Sequence, residues 1–398
     1  MKSIKRAGLG ATLVGLGICV MAAGCISADG PVSIERQILG WLSVRDGLLV
    51  DGAGSAIRLV GVNSRGMACG TGVRGGGGAG WSEPSPATFD NVAEWGFNSV
   101  RLSISWANLE PTPPTKGPNG QVVHHWNGPY LEAIDSIVHD FARRGVSVIL
   151  DMHQWKWSPA LKDVPLASNK GGVAPQGCGM PAWLYPEDSF RTVEQARIDF
   201  FVGRRGWDGL ADAWRLIAAK YAAEPAVVAA DLFNEPVLAG IERETARRSL
   251  EDLYGVLGRA VRSVNTRLVL IFQDSALPEG DFALEQPPPF PNVVYSFHIR
   301  SRTWPEAKAE IDRYMERARR WNVPVWIGET GPWIEPDRSP SEDLSPEQEA
   351  LLRAQFEYLR RQNVGWHFWA YSSKHSGLVY PGTNDPKPRL LEVLRGGI

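Results

Sequence analysis

Two acidic side chains stand where apolar runs end. One lies in Asp231-Leu232-Phe233-Asn234-Glu235-Pro236, the other in Trp326-Ile327-Gly328-Glu329-Thr330-Gly331. Two carboxylates flanking one bond can hydrolyse a glycosidic linkage, with retention or with inversion. One needs a raised pKa to donate a proton, and the other must stay ionised. A lone acid at a strand end is weak ground, because helix N-caps also favour acids there. Asn234-Glu235-Pro236 is more specific. Pro236 bars Glu235 from starting a regular helical turn, and Asn234 supplies an amide that can bond a sugar hydroxyl. Arg101 sits inside the apolar run Asn98–Ile104. A buried cation must pair, and a carboxylate nucleophile is a suitable partner whose pKa it would lower. His153, His298 and Trp369 also fall at run ends. The indole offers a flat apolar face for a sugar ring.

These residues need a scaffold that gathers run ends in one place. Eight short apolar runs recur: Leu59–Asn63, Asn98–Ile104, Val146–Met152, Val227–Phe233, Leu268–Phe272, Val293–His298, Val325–Glu329 and Trp366–Ala370. They are β-branched and nearly continuous, as parallel strands buried on both faces must be. Helical patterns lie between them, at Leu131–Arg144, Leu210–Tyr221, Ala246–Val264, Glu306–Trp321 and Pro346–Gln362. This α/β alternation is the rhythm of a (β/α)8 barrel, whose sites form at the C-terminal ends of the strands. An N-terminal β-hairpin is expected from Leu48-Leu49-Val50, the turn Asp51-Gly52 and the run Ile57–Asn63. Long connections at 67–86, 111–127 and 154–209 follow strands, so they belong to the functional face. They carry Trp81, Trp155, Trp157 and Trp183, which fit sugar or aglycone platforms or, equally, buried loop anchors.

The chain has 398 residues, 43% of them apolar and 22% charged, which excludes a disordered chain and a multi-span membrane protein. With 42 Lys+Arg against 44 Asp+Glu there is no basic footprint for nucleic acid. No set of His, Cys, Asp or Glu has metal-ligand spacing, and the two-carboxylate chemistry calls for no cofactor.

The N-terminus is a targeting segment. Lys2, Lys5 and Arg6 precede an uncharged run, Ala7–Gly24, and then Cys25. Residues 1–25 read as an export signal, 26–40 as a tether and 41–398 as one barrel domain. The end of the signal resembles the lipoprotein type, with Ala22 where Leu is usual. That implies lipidation of Cys25 and membrane contact through the lipid at the bacterial cell envelope; plain secretion and an uncleaved anchor are the other readings. Outside the cytoplasm, Cys69 and Cys178 can form a disulfide between Gly-rich loops or remain free thiols.

The set Arg101, His153, Asn234-Glu235, His298, Glu329 and Trp369 resembles glycoside hydrolase family 5, the cellulase-like clan of retaining barrel enzymes. The resemblance spans Gly61-Val62-Asn63 to Trp369. It implies Glu235 as acid/base, with the raised pKa, and Glu329 as nucleophile. Arg101, His153, Asn234, His298 and Trp369 would shape the subsite of the attacked sugar. One position departs: the family's Tyr two residues after the sixth-strand His is Arg300 here. Tyr295 or Tyr371 replaces it, or Arg300 tunes the nucleophile by charge, or activity is altered. Leu102–Trp106, Leu109–Pro113 and Leu150–Gln154 further resemble the endoglycoceramidase branch, which releases glycans from glycosphingolipids. The C-terminal β-sandwich of that branch is not expected, since the sequence stops soon after the eighth run. Expected substrates are a β-linked glycan or a glycolipid. An exo-acting β-glucosidase, a β-mannanase and a non-catalytic carbohydrate-binding lipoprotein on the same barrel are the competing readings.

Overall fold

Eight parallel strands close on themselves in chain order. They are β1 (Val60–Ser64), β2 (Ser99–Ile104), β3 (Ser147–Met152), β4 (Val227–Asp231), β5 (Val269–Gln273), β6 (Val293–Ile299), β7 (Val325–Thr330) and β8 (Gly365–Phe368), with β8 pairing back onto β1. The computed structural model describes residues 39–68, 84–154, 157–158, 160–162, 179–185, 192–275, 282–333, 339, 341–373 and 376–398. The barrel belongs to the compact unit 36–398; the remaining unit, 1–35, lies outside the described residues. Among the described residues no helix is long and apolar enough to cross a membrane.

Helices wrap the barrel: α1 (Pro86–Glu94), α2 (Gly128–Ala142), α3 (Val193–Phe201), α4 (Trp207–Lys220), α5 (Arg243–Arg262), α6 (Trp304–Trp321), α7 (Pro346–Arg361) and α8 (Pro388–Gly396). Their starts are written locally. Ser85, Thr192, Thr303 and Ser345 each close a capping box with the residue three positions on. The expected alternation has one gap: between β5 and β6 no helix occurs among the described residues.

The N-terminal hairpin is present but shifted. Ser43–Arg45 pairs with Leu48–Val50 around Asp46-Gly47, and only a single bridge, Val50 to Ala56, continues past Asp51. Both turn residues have positive φ, 51° and 72°, which suits Asp-Gly and matches the strand twist. The run beginning at Val60 goes to the barrel instead, because its apolar residues are buried on both sides.

The barrel interior has two levels. Low in it, Ile149, Ala229, Val269, Ile271, Val294 and Trp326 form an apolar plug with Leu42 and Leu49 of the hairpin. Towards the C-terminal strand ends the buried residues turn polar: Asn63, Arg101, Asp151, Asp231 and Glu329. Register sets their neighbours. Asn63 pairs with Arg101, Asp151 with Asp231, and His298 with Glu329. The β6–β7 register slips between Phe297 and His298, and such a bulge re-aims a side chain at a strand end.

Candidate active site

Arg101 is the hub. It is fully buried, and isolated burial of a guanidinium would be costly. Its Nε donates to Asp231 Oδ2 at 2.9 Å. Its Nη1 donates to Asn63 Oδ1 at 2.9 Å and Glu329 Oε1 at 3.1 Å, and its Nη2 to Asn234 Oδ1 at 2.8 Å. Asp151 Oδ1 lies 2.9 Å from Nη2. Three carboxylates thus share one fixed cation. Burial, and then Asp151, push Asp231 up to about 6 against the pull of Arg101. Burial also opposes ionisation of Asp151, but Arg101 and His153 outweigh it and hold that carboxyl below its usual range. Asn63 completes the frame, donating to the Gly328 and Phe368 carbonyls at 3.0 and 3.2 Å, so that β1 ties β7 to β8.

Glu329 is almost covered, its side chain 6% exposed. Besides Arg101 it accepts a hydrogen bond from Arg300 Nη2, 3.1 Å from Oε2. Two guanidiniums therefore grip one carboxylate, one at each oxygen. This answers the question raised by Arg300. The Tyr295 hydroxyl is committed to Asp274 at 2.7 Å, and the Tyr371 hydroxyl meets Asn91 and Asn384. Arg300 itself reaches Glu329.

Glu235 lies opposite and is more open, its side chain 32% exposed. His298 Nδ1 donates to its Oε1 at 2.8 Å and stands 3.7 Å from Glu329 Oε1. The facing oxygens of Glu235 and Glu329 and the His298 ring nitrogen all fall within 4.8 Å of one another. Gly328 makes this possible: a Cβ there would come within 2.8 Å of His298 Nε2.

The expected raised pKa of Glu235 is not what the structure has. Burial favours the neutral acid, but the His298 hydrogen bond, then the His298, His153 and Arg300 charges, take the carboxyl down to about 2. The sequence could not reveal this, because it depends on His298 Nδ1 meeting Glu235 Oε1.

His153 is fixed by its Nδ1 contact with Asp151 Oδ2 at 2.8 Å and stacks on Trp369 with ring centres 5.3 Å apart. Arg65 lies 5.2 Å from the centre of the same indole. Trp369 is thus at the site, but its ring is already engaged by protein groups. Asn234 is likewise engaged at both ends of its amide, with Arg101 at one and the Gln154 carbonyl at the other. Trp157 is not a sugar platform: it is buried, donates to the Tyr185 hydroxyl at 2.8 Å and packs edge-on to Phe200. Trp183 donates to the Glu110 carbonyl and stands edge-on to Trp106, which makes it a loop anchor. Trp81, Trp155, Cys25, Cys69 and Cys178 lie outside the described residues.

Sequence reasoning gave no role to Asn63, Asp231, Gln154 or Gln273. Asp231 ends its strand and Asn63 stands one residue before the end of its own, which was the available signal. The glutamines hydrogen-bond the backbone of Glu235.

The fold has solved relatives. The crystal structure of an endogalactoceramidase covers 85% of its own chain and 90% of this one at TM-score 0.70 and 24% identity. A Rhodococcus sp. endo-glycoceramidase II, solved as a lactosyl-enzyme intermediate, matches 89% of this chain and 80% of its own at TM-score 0.65 and 22% identity. In sequence, an endoglycoceramidase of Cyanea nozakii is 25% identical over 281 residues, 54% of this chain; the match spans about half of that relative's length, 53%. The model of the cellulase family, glycosyl hydrolase family 5, matches residues 50–375, and the chain belongs to that family.

Proposed function

We propose that the protein is a retaining, endo-acting β-glycosidase that cuts a glycan from the lipid of a glycosphingolipid. One observation carries the reaction class: the two strand-end carboxylates approach within 4.8 Å. Retaining glycosidases set their carboxyl groups about 5–5.5 Å apart and inverting ones about 6.5–9.5 Å.

In this reading Glu329 attacks the anomeric carbon as Glu235 protonates the departing oxygen. A glycosyl ester forms on Glu329. Glu235 then takes a proton from water, whose oxygen attacks the anomeric carbon on the face the aglycone left, opposite Glu329, and expels the Glu329 carboxylate, so the product keeps the β configuration. Arg101 and Arg300 hold the two carboxylate oxygens of Glu329 in place. Glu235 must hold a proton when the bond breaks, yet in the free site His298 keeps it ionised. Substrate resolves this: a leaving oxygen that inserts beside Glu235 displaces the His298 hydrogen bond, and the desolvated acid regains its proton.

The lipid aglycone is supported by the names of the relatives, endoglycoceramidase and endogalactoceramidase, and by the Rhodococcus enzyme's ganglioside GM3 complex. A lipid on Cys25 would tether the domain beside such a substrate, and palmitate labelling lost in Cys25→Ser is the expected result. The main experiment offers lactosylceramide and cello-oligosaccharides in parallel. Release of intact lactose, β-anomer first by proton NMR, is expected. Cleavage of the glucan alone would replace the aglycone assignment. No turnover by wild type on either substrate or on aryl β-glycosides would favour a carbohydrate-binding protein.

A further inference from the structure

Glu235 has a backbone that a glutamate does not adopt readily: its φ is +42°. Residues other than glycine keep such a conformation only where their surroundings over-determine it, and such positions cluster at functional sites. Here both peptide groups of the residue are held. Its N–H donates to Gln273 Oε1 at 2.9 Å. Gln154 Nε2 donates to the Glu235 carbonyl at 3.3 Å and to the Asn234 carbonyl just before it. The two amides come from opposite sides of β4, Gln154 from just beyond β3 and Gln273 from the end of β5.

Both clamps are themselves fixed. Gln154 and Gln273 are each 5% exposed. The Tyr254 hydroxyl, from the buried face of α5, donates to the Gln273 carbonyl at 2.7 Å and accepts from its N–H at 3.0 Å. The Gln154 carbonyl accepts from Asn234 Nδ2 at 3.3 Å. Side-chain contact cannot do the same work. The Glu235 carboxylate leans on His298, which the leaving oxygen must displace, so the aim of the carboxylate has to come from the main chain.

We propose that Gln154 and Gln273 are positioning residues for proton transfer: they lock Glu235 in its left-handed conformation and so aim its carboxyl at the leaving oxygen. This rests on the assignment of Glu235 as acid/base. It makes a demand that general stabilisation does not: loosening the clamp must harm protonation of the leaving group and spare nucleophilic attack.

The test compares kcat/KM, which reports the first step alone, for 4-methylphenyl β-lactoside and 2,4-dinitrophenyl β-lactoside. The first leaving group needs a proton and the second does not. Gln273→Met, close in shape but without the oxygen acceptor, is expected to lose about tenfold or more on the methylphenyl substrate, part of the 10²–10⁴-fold that a placed acid supplies. It is expected to lose less than about threefold on the dinitrophenyl one, by the same principle. Gln154→Met gives the same pattern and serves if Gln273→Met fails to fold. Gln273→Glu restores an acceptor and recovers most of the loss. Equal losses on both substrates would overturn the inference while leaving Glu235 as acid, provided Glu235→Ala still shows the leaving-group split. Absence of that split in Glu235→Ala would overturn the acid/base assignment itself. A crystal structure of Gln273→Met is the check independent of turnover: Glu235 is expected to leave positive φ, and an unmoved Glu235 would overturn the clamp.

Discussion

The two carboxylates of the site are held in opposite ways. Glu329 is gripped through its side chain, with a guanidinium on each oxygen and almost no exposure. Glu235 is gripped through its main chain, while its carboxylate leans on one imidazole and stays a third open. The difference suits the proposed roles. A nucleophile must be immobile and aimed when it attacks. An acid/base must change protonation twice and exchange partners, which is feasible only if its position does not depend on those partners.

The largest effect expected is on the side-chain-held half. Glu329→Gln loses activity by about 10⁶-fold, the scale of removing a nucleophile, whatever the leaving group, with the fold intact by circular dichroism. Retained turnover would move the nucleophile elsewhere. Glu235→Ala comes next. It falls about 10²–10⁴-fold with a poor leaving group and far less with dinitrophenol, and added azide restores a β-glycosyl azide product. Arg101→Met unbalances Asp151, Asp231 and Glu329 together. Removing one partner of a buried charge cluster costs about 3–5 kcal/mol, so thermal unfolding should show a matching drop. An unchanged Tm would mean that the cluster is not the frame described. Arg300, partly exposed, is the milder of the two cations. Arg300→Met is expected to lower kcat/KM about tenfold, the lower end for a charge-assisted hydrogen bond, equally for good and poor leaving groups. A loss confined to poor leaving groups would put Arg300 on the acid side instead.

The smallest effect is on stability against pH, and the two shifted acids oppose each other. Glu235 drops from 4.5 to about 2 on folding, so its contribution is full above pH 4.5 and disappears as pH falls towards 2. Asp231 rises from 3.8 to about 6, so its contribution is full below pH 3.8 and disappears as pH rises through 6. Chemical denaturation from pH 3 to 7 is expected to show a flatter acid limb in Glu235→Gln and a shallower decline towards pH 6 in Asp231→Asn. Unaltered slopes would contradict the pairings seen here.

Much of this was legible in the sequence because barrels put polar residues where apolar runs stop. Arg101, His153, Glu235, His298, Glu329 and Trp369 announced themselves that way and are gathered at one end of the barrel. What escaped depended on three-dimensional detail. Glutamine carries no charge to look odd in a strand, so Gln273 reads as an ordinary end of Val269–Gln273. The direction of the Glu235 shift is set, against burial, by the His298 hydrogen bond and by the His298, His153 and Arg300 charges around it. Whether Trp157 is a sugar platform or a loop anchor was open in the sequence, and it anchors a loop against Phe200. The hairpin turn fell at Asp46-Gly47 and not at Asp51-Gly52, two similar dipeptides that only strand register separates.

The most direct measurement is capture of the covalent intermediate. Incubation with 2,4-dinitrophenyl 2-deoxy-2-fluoro-β-lactoside, proteolysis and tandem mass spectrometry should find the sugar esterified to Glu329, and no label in Glu329→Gln. A sugar carried by any other residue, or steady hydrolysis of cleavable substrates with release of the α-anomer and no trapped ester, would contradict it.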